Sequence, residues 1–193
     1  MHHDFDTIRR DLVERLSQAA TDRRSAMHVP VVVTSDIGAR VMVLREFDRD
    51  AYTLRFHTDT RAPKVAAVEA DPRMAVLFYD KEAKIQIRAK GIARIERDTP
   101  LAQSAWDAGS NFARRCYLGD GPGTASPVPT SGLPQELEGV EPSEEDIVPA
   151  RENFAILVVT IERLDWLYLA HTGHVRAVFD RSDEAWTGRW VSP

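Results

Sequence analysis

Short apolar runs closed by turn-forming residues recur along this chain, and they restrict its fold more than any other feature. Each run alternates apolar with polar residues or is apolar throughout, as strands of a sheet do. Clusters of Ser, Asp and Gly separate several runs and allow consecutive strands to pair antiparallel. The runs cover residues 28–34, 39–47, 52–58, 73–79, 84–96, 154–161, 165–169, 174–179 and 185–191. The pattern predicts a mostly β protein, a small antiparallel barrel of six to seven strands.

Two to three helices are expected to flank this barrel. Apolar residues recur at helical spacing over residues 6–19, which predicts an amphipathic helix that covers one end of the barrel. Residues 62–70 are rich in Ala, carry a proline in the first turn and stop before Asp-Pro, as a short helix does. A further helix is predicted for residues 100–115. Gly91 is expected to mark a bulge or bend in the long strand 84–96.

Residues 117–150 interrupt this pattern. They hold six of the eleven prolines and five of the ten glycines, so no packed element is expected there. The segment is predicted to be a long, partly mobile loop, and it is either a surface insertion or a lid over an active site. With 193 residues, the chain is expected to form a single domain, residues 1–193, decorated by this loop.

Composition excludes several classes of protein. The net charge of −5 argues against general nucleic-acid binding, which needs a basic surface. The single cysteine, Cys116, cannot form an intrachain disulfide and has no neighbours at metal-ligand spacing, so no metal site is expected. No apolar run is long enough to span a membrane, and the first residues are too charged for a signal peptide, so we expect a cytoplasmic protein.

The charge is distributed unevenly along the chain. Residues 38–97 carry 13 Lys or Arg against 9 Asp or Glu, whereas residues 116–150 carry seven acids and no base. An anionic ligand is therefore expected to lie against the first of these segments. The familiar nucleotide, hydrolase and metalloprotease motifs are absent, and the six histidines are scattered, so no catalytic residue is assigned.

What remains is a set of bases and one amide near strand ends. On strand alternation, Arg40, Met42 and Leu44 share one face, while Val43 and Arg45 lie on the other. Such residues can be plain surface charge or the donors of a binding site, and both alternatives stay open from spacing alone. The set consists of Arg40, Arg45, Arg61, Lys64, Gln86, Arg88 and Arg176.

The order of these residues resembles that of the pyridoxamine 5′-phosphate oxidase-like flavoproteins. The likeness covers residues 8–115 and 152–193. It rests on the run from Arg40 to Arg45, Phe56-His57-Thr58, Lys64, Asp71-Pro72-Arg73, Ile85-Gln86-Ile87-Arg88, Gly91, Trp166, Arg176 and the closing residues 186–193. The resemblance implies an FMN-binding split β-barrel that pairs as a homodimer and holds two FMN molecules between the subunits.

The resemblance also implies roles for particular residues. Lys64, with help from Arg61, would hold the FMN phosphate, and the phosphate's double negative charge calls for such charge-assisted donors. Gln86 would hydrogen-bond the cofactor, with Arg88 on the same strand. The remaining residues of the implied flavin site are Arg40, Val41, Met42, Val43, Leu44, His57 and Thr58 from one subunit, and Trp166 and Arg176 from the other.

The chain departs from the classical oxidases at one place beside the FMN phosphate, where a donor is lost or supplied by Arg61, and at one place in the substrate half. Ala62-Pro63 stands where they have Ser-Arg before the phosphate lysine, and Thr172-Gly173-His174 replaces an Arg-x-His pair. Arg45 occupies the place of a substrate lysine. Arg114 and Arg115 are either further substrate-side bases or the solvated end of a helix. Pyridoxine and pyridoxamine 5′-phosphates are therefore expected to be poor substrates.

Three hypotheses about function follow. The chain is an FMN-dependent oxidoreductase acting on a small-molecule substrate or electron acceptor, a flavin-binding carrier or sensor without turnover, or a small β-barrel interaction protein without flavin. A yellow colour on purification separates the third hypothesis from the other two.

Overall fold

The computed structural model describes residues 4–183 and 185–193, and antiparallel strands dominate it. The strands are β1 Val31–Thr34, β2 Ala39–Val41, β3 Glu46–Asp48, β4 Thr53–Asp59, β5 Arg73–Asp80, β6 Ile85–Glu96, β7 Phe154–Tyr168, β8 Val175–Ser182 and β9 Ala185–Val191. The helices are α1 Phe5–Thr21, α2 Pro63–Ala70, α3 Pro100–Asp107, α4 Asn111–Arg114 and α5 Glu144–Ile147, with 3₁₀ turns at Arg115–Tyr117, Gln135–Leu137 and Val148–Asn153.

All nine described strands belong to one sheet. Its main path is β2-β1-β5-β6-β7-β4-β3, and β8 and β9 branch from β7. The segment between β2 and β3 brings the two edges together, because the Leu44 amide donates to the His28 carbonyl (2.9 Å) and the Arg45 amide donates to the Arg55 carbonyl (2.9 Å). The sheet thus curls without a continuous ladder, which confirms the split β-barrel.

The number of strands is larger than the predicted six to seven. The run 39–47 is divided between β2 and β3, since the chain crosses from one sheet edge to the other within it. The runs 154–161 and 165–169 are instead one strand, β7. The helices also outnumber the predicted two to three, because short helical turns follow α3 and lie within the long loop.

The barrel interior forms the main hydrophobic core. It contains large side chains that are fully buried, among them Phe56, Phe78 and Trp166. Burying each such side chain stabilises the fold by about 1.5–3 kcal/mol. Helix α1 covers one end of this core, as predicted, and its buried residues are Ile8, Leu12, Leu16 and Ala19. Asp4 caps the helix by accepting a hydrogen bond from the Thr7 amide at 2.7 Å.

A second, smaller core lies on the outer face of β7. Trp106 of α3 packs there against Phe154, with ring centroids 5.3 Å apart. The predicted helix 100–115 is broken at this point. Helix α3 ends at Asp107, and Ser110 caps the separate helix α4 by accepting a hydrogen bond from the Ala113 amide.

The long loop is fastened to the body at both ends. Arg115 donates to the Val140 carbonyl (2.9 Å), and the Asn153 amide group donates to the Tyr117 carbonyl (2.9 Å). The expectation of no packed element in residues 117–150 was wrong near its end, where Ile147 and Ala150 are buried in the second core. Among the residues that the structure describes, no helix is long and apolar enough to cross a membrane.

A bulge at Gly91 sets which side chains of β7 face the core. The pairing of β6 with β7 shifts register between Lys90 and Gly91, as predicted for this glycine. Along β7, Val159 and Ile161 precede the shift and are buried in the main core. Leu164 and Trp166 follow the shift and are buried in the same core. The inward-facing positions therefore change from odd to even numbers. Because of this change, Asp165 lies on the outer face and Trp166 in the core.

We predict that Gly91→Ala destabilises the protein by at least about 3 kcal/mol, because a Cβ there would lie 1.9 Å from the Thr160 carbonyl oxygen. Urea unfolding measures the loss. Gly121→Ala is the control, since its Cβ would meet only ordinary contacts with Arg61. Equal stabilities of the two variants would contradict this account of the bulge.

Candidate functional site

Four polar side chains meet at one end of the barrel, where β1 and β4 end and α2 begins. Arg40 donates from Nη1 to the Thr34 hydroxyl at 2.9 Å, and Lys64 donates from Nζ to the Thr58 hydroxyl at 3.1 Å. Both threonines are buried. The Arg40 guanidinium passes over Gly38, where a Cβ would lie 2.5 Å from Nη2. We call Thr34, Arg40, Thr58 and Lys64 the barrel-end cluster.

The barrel-end cluster contains two cations and has two acids beside it, Asp36, which accepts from the Thr34 hydroxyl at 2.5 Å and lies near Arg40, and Asp59, which lies near Lys64. Burial lowers the pKa of Lys64, the charge of Arg40 lowers it further, and Asp59 raises it. The hydrogen-bond acceptor of each cation is a neutral hydroxyl, that of Thr34 for Arg40 and that of Thr58 for Lys64. Lys64 also belongs to the first turn of α2, and Ala62 at the N-cap has no side chain that accepts a hydrogen bond. Such a donor set suits a phosphate dianion.

The chain from residue 40 to residue 44 runs along the edge of the sheet. The amide of Met42 donates to the Pro30 carbonyl (3.1 Å) and that of Leu44 to His28, so these amides face β1. By strand alternation, the main-chain groups of Val41 and Val43 face the open edge. The predicted alternation of side chains agrees with burial, since Leu44 is buried while Val41 is 64% exposed.

A second group of polar residues lies on the outer face of the sheet. Gln86 of β6 is paired with Leu167 of β7, and Leu167 is paired with Arg176 of β8, so these three form one row across the strands. The adjacent row contains Arg88 and Asp165. We call Gln86, Arg88, Asp165 and Arg176 the outer-face cluster.

An acid holds the outer-face cluster together. Asp165 accepts from Arg88 Nη2 (2.7 Å) and, through both oxygens, from Arg176 Nε (3.0 Å) and Nη2 (2.7 Å). Burial alone would raise the pKa of Asp165, but hydrogen bonds from Arg176 and Arg88 hold it below the usual value. The carboxylate is therefore ionised at neutral pH, and the cluster keeps one net positive charge.

The two clusters lie on opposite faces of the sheet. Thr34 pairs with Met74, whereas Gln86 pairs with Tyr79 at the other end of β5. Five residues of strand separate those positions by about 17 Å. Met74 is buried in the core, while Tyr79 is 45% exposed on the outer face. Thr34 and Gln86 therefore lie on opposite faces and near opposite ends of β5 within one protomer.

The structure gives other tasks to two residues that the resemblance implied for the flavin. Arg61 donates to Asp59 from Nε (3.0 Å) and Nη2 (2.7 Å) and to the Gly119 carbonyl (2.9 Å), so it fastens the long loop. Trp166 is fully buried in the protomer's own core. It pairs with Ala177, and its side chain is therefore on the opposite face from Arg176. The two side chains do not converge on one flavin ring in this arrangement.

Two of the substrate-side candidates cap helices or loops. Arg114 donates to the carbonyls of Trp106 and Asp107 at the end of α3, both at 3.0 Å, which matches the helix-end alternative. Arg115 lies over the Phe112 ring, 3.7 Å from its centroid, and also donates to the loop. Arg45 and His174 are exposed, and they stay substrate-side candidates.

His57 and Thr58 face opposite ways along β4. Thr58 joins the barrel-end cluster, whereas the His57 ring meets Phe154 edge-on in the second core, with centroids 5.0 Å apart. Burial, together with the charges of Arg45 and Arg55, lowers the pKa of His57 to about 4. His57 is therefore a neutral packing residue at pH 7.

Thr34 and Asp165 were missed by the sequence analysis. Thr34 ends a predicted strand and looks like any polar residue before a turn. Asp165 carries a usable signal, since it interrupts the apolar run 164–169, and a charge at such a position calls for a cation on a neighbouring strand.

Comparisons with known proteins agree with this geometry. A family model described as "Pyridoxamine 5′-phosphate oxidase, FMN-binding domain" matches residues 13–97. The pyridoxine/pyridoxamine 5′-phosphate oxidase of Caulobacter vibrioides is 29% identical over 167 residues, which are 80% of this chain and 69% of the relative.

Two solved structures share the fold. A pyridoxamine 5′-phosphate oxidase-related, FMN-binding protein from Nostoc punctiforme has a TM-score of 0.76 and 22% identity, covering 95% of this chain and 97% of that one. PhzG from Burkholderia lata, solved with tetrahydrophenazine-1-carboxylic acid, has a TM-score of 0.68 and 16% identity, covering 95% and 91%.

The fold and the family match define an FMN-binding split-barrel protein. The chain is similar to the pyridoxamine 5′-phosphate oxidase-like family, as a divergent relative, and the matched FMN-binding domain indicates FMN as its cofactor. The donors of the barrel-end cluster fit the phosphate of that cofactor.

We predict that acid destabilises the protein partly through His57. Its folded pKa of about 4 lies below the unfolded value of 6.5, so the folded state binds fewer protons, and stability falls as the pH drops from 6.5 towards 4. The loss from this residue is up to about 3 kcal/mol. Urea unfolding at pH 7 and 4.5 should show a smaller loss for His57→Gln than for the wild type. Equal losses would show that His57 is not responsible.

Proposed function

We propose that the protein is an FMN-dependent oxidoreductase that works as a homodimer, with FMN bound between the subunits. The arrangement of the two clusters carries this proposal. Each cluster suits one part of the cofactor, yet within a protomer they lie on opposite faces of the sheet and near opposite ends of β5. A second copy is the simplest source of the missing half, and a C2 pair would complete two sites at once.

At the phosphate end, the chain supplies the barrel-end cluster. Lys64 and Arg40 neutralise charge, the hydroxyls of Thr34 and Thr58 hold both cations in place, and the first turn of α2 adds main-chain amides. Arg61 is not part of this set, because Asp59 and the loop carbonyls occupy its guanidinium.

At the ring end, the partner would supply the outer-face cluster. Gln86 offers an amide that can donate and accept, and Arg176 offers a cation for the pyrimidine side of the ring. When bound, the flavin supplies the electron-transfer chemistry. A fixed cation there stabilises negative charge on the reduced ring and so favours electron acceptance.

An apolar surface beside the outer-face cluster supports the dimer. Cross-strand pairing aligns Val41 with Val31 and Val31 with Leu77, and Leu77 pairs with Arg88 of the outer-face cluster. Val41 and Tyr79 are 64% and 45% exposed in the protomer. Covering these side chains removes apolar area from water and places a second copy beside the outer-face cluster.

The substrate or acceptor is proposed to carry less negative charge than a phosphate ester. Arg114 and Arg115 are occupied, and residues 116–150 contain no base. Arg45 is an exposed cation within electrostatic reach of His57 and Tyr117 at the second core, and a single guanidinium suits a single carboxylate. The Burkholderia lata neighbour was solved with a carboxylic acid.

The test of turnover is direct. Reduction of the purified yellow protein by NAD(P)H, followed by reoxidation with a candidate acceptor, would support an oxidoreductase. A flavin that stays oxidised under every donor would instead support the carrier or sensor alternative. The expected cytoplasmic location stays a prediction that cell fractionation tests.

We predict that Lys64→Ala weakens FMN binding roughly ten- to hundredfold, because it removes a charge-assisted hydrogen bond to the phosphate. Fluorescence titration of the apoprotein measures the Kd, and Lys81→Ala, in an exposed turn, is the control. An unchanged Kd would place the phosphate elsewhere, and FAD in the supernatant of the denatured protein would refute the cofactor.

We predict that Val41→Glu converts the dimer to monomers and releases the flavin at the same time, since it places a charge in the apolar surface. Light scattering at micromolar concentration with a flavin absorbance trace measures both. Val128→Glu is the matched control, because Val128 is also 64% exposed but lies in the long loop. A wild-type monomer that retains FMN would contradict the proposed arrangement.

We predict that pyridoxine and pyridoxamine 5′-phosphates are oxidised far more slowly than the roughly 1 per second typical of dedicated enzymes. The site lacks the converging donors that a phosphate ester needs, and each lost partner leaves a polar group unpaired. Oxygen consumption with either substrate checks this. Turnover at an ordinary enzymatic rate would restore the classical assignment.

A further inference from the structure

The Asp165 carboxylate leaves one part of Arg176 available to a ligand. Arg176 presents Nε and Nη2 to the two oxygens of Asp165, the side-on fork in which a guanidinium is held most rigidly. Its remaining nitrogen, Nη1, points away from the carboxylate and contacts only the Ser192 carbonyl, at the long distance of 3.4 Å, among the contacts of the described residues. The two hydrogen bonds to Asp165 therefore leave Nη1 directed away from the carboxylate, where it can donate to a ligand.

Arg88 anchors Asp165 from the other side. Its Nη2 donates to the same carboxylate oxygen that receives Arg176 Nη2, both at 2.7 Å. The three side chains come from three adjacent strands, β6, β7 and β8, and they share the outer face. Asp165 is only 9% exposed, so water competes little for these hydrogen bonds.

We propose that Asp165, anchored by Arg88, is a positioning residue that fixes Arg176 toward the flavin ring. The inference rests on the proposed function, in which Arg176 of one subunit meets the FMN held by the other. Asp165 itself does not touch the cofactor. It decides where the cation sits, and so how strongly negative charge on the reduced ring is stabilised.

A positioning role and a simple charge effect predict opposite results. If the negative charge of Asp165 only screened Arg176, replacing Asp165 by Asn would raise the flavin midpoint potential, because the site would become more positive. If Asp165 positions Arg176, Asp165→Asn loosens the cation and lowers the potential, in the same direction as Arg176→Met. The direction of the shift therefore separates the two explanations.

The experiment uses the FMN-loaded protein, four single variants and one double variant. We expect Arg176→Met and Asp165→Asn both to lower the midpoint potential and to raise the FMN Kd, with Asp165→Glu restoring part of each. In the Arg176→Met background, Asp165→Asn should have no further effect, which gives a coupling of roughly threefold or more in Kd. Arg88→Met should shift the potential the same way without changing the carboxylate.

Asp180→Asn is the matched control. Asp180 also bridges two arginines, Arg163 and Arg189, on the same face, but it lies four residues along β8 from Arg176, about 13 Å away. It should leave the potential unchanged. A higher potential in Asp165→Asn, or an effect that is additive with Arg176→Met, would overturn the inference. If Asp165→Asn fails to fold, Asp165→Glu decides, because it keeps the negative charge: a simple charge effect leaves the potential unchanged, whereas loss of positioning lowers it part of the way.

Failure of the proposed function gives a different result. If Arg176→Met leaves both the Kd and the potential unchanged, Arg176 does not meet the flavin and the proposed site is wrong. If Arg176→Met acts while Asp165→Asn and Arg88→Met do not, the site stands and only the positioning role of Asp165 falls.

Discussion

The pairing of β6 with β7 is the interaction on which the rest of this structure depends. It is a long antiparallel ladder through the middle of the sheet, and β4, β5 and β8 all pair with one of its two strands. The bulge at Gly91 changes which residues of β7 face inward partway along the ladder. Without that change, Asp165 would point into the apolar core, where an ionised carboxylate would cost far more than two arginines could offset.

The same ladder separates two sets of donors that one cofactor would need. The barrel-end cluster gathers where strands end around α2, whereas the outer-face cluster stands in rows across β6, β7 and β8. In the proposed function each protomer would supply two half-sites, so the proposed cofactor site depends on association. The family resemblance covers most of these positions. In the structure, however, Arg61 donates to the long loop and the Trp166 side chain is buried in the main core.

Much of the fold could be predicted from local pattern. Helix α1, the short helix α2, most strands and the bulge at Gly91 follow from periodicity, proline and glycine, which act over a few residues. The division of residues 39–47 could not, because it depends on the chain crossing between two sheet edges that are distant in sequence. Strand β7 appeared as two runs, since the bulge breaks the alternation that marks a strand.

For the site, the sequence by itself determined the supply of donors and its location: a basic segment with Arg40, Lys64 and Gln86, a long acidic loop, and an order of residues that resembles an FMN-binding family. Only the tertiary structure decided which donors remain available for a ligand. From the sequence alone, Arg61, Arg114 and Arg115 are possible ligand donors just as Arg40 is. In the structure, carboxylate or carbonyl oxygens already accept hydrogen bonds from all three guanidinium groups. The physical reason is that a guanidinium binds whichever acceptors the fold brings near it. The acceptor of both Arg88 and Arg176 is Asp165, which is 77 residues from Arg88 and 11 residues from Arg176 along the chain.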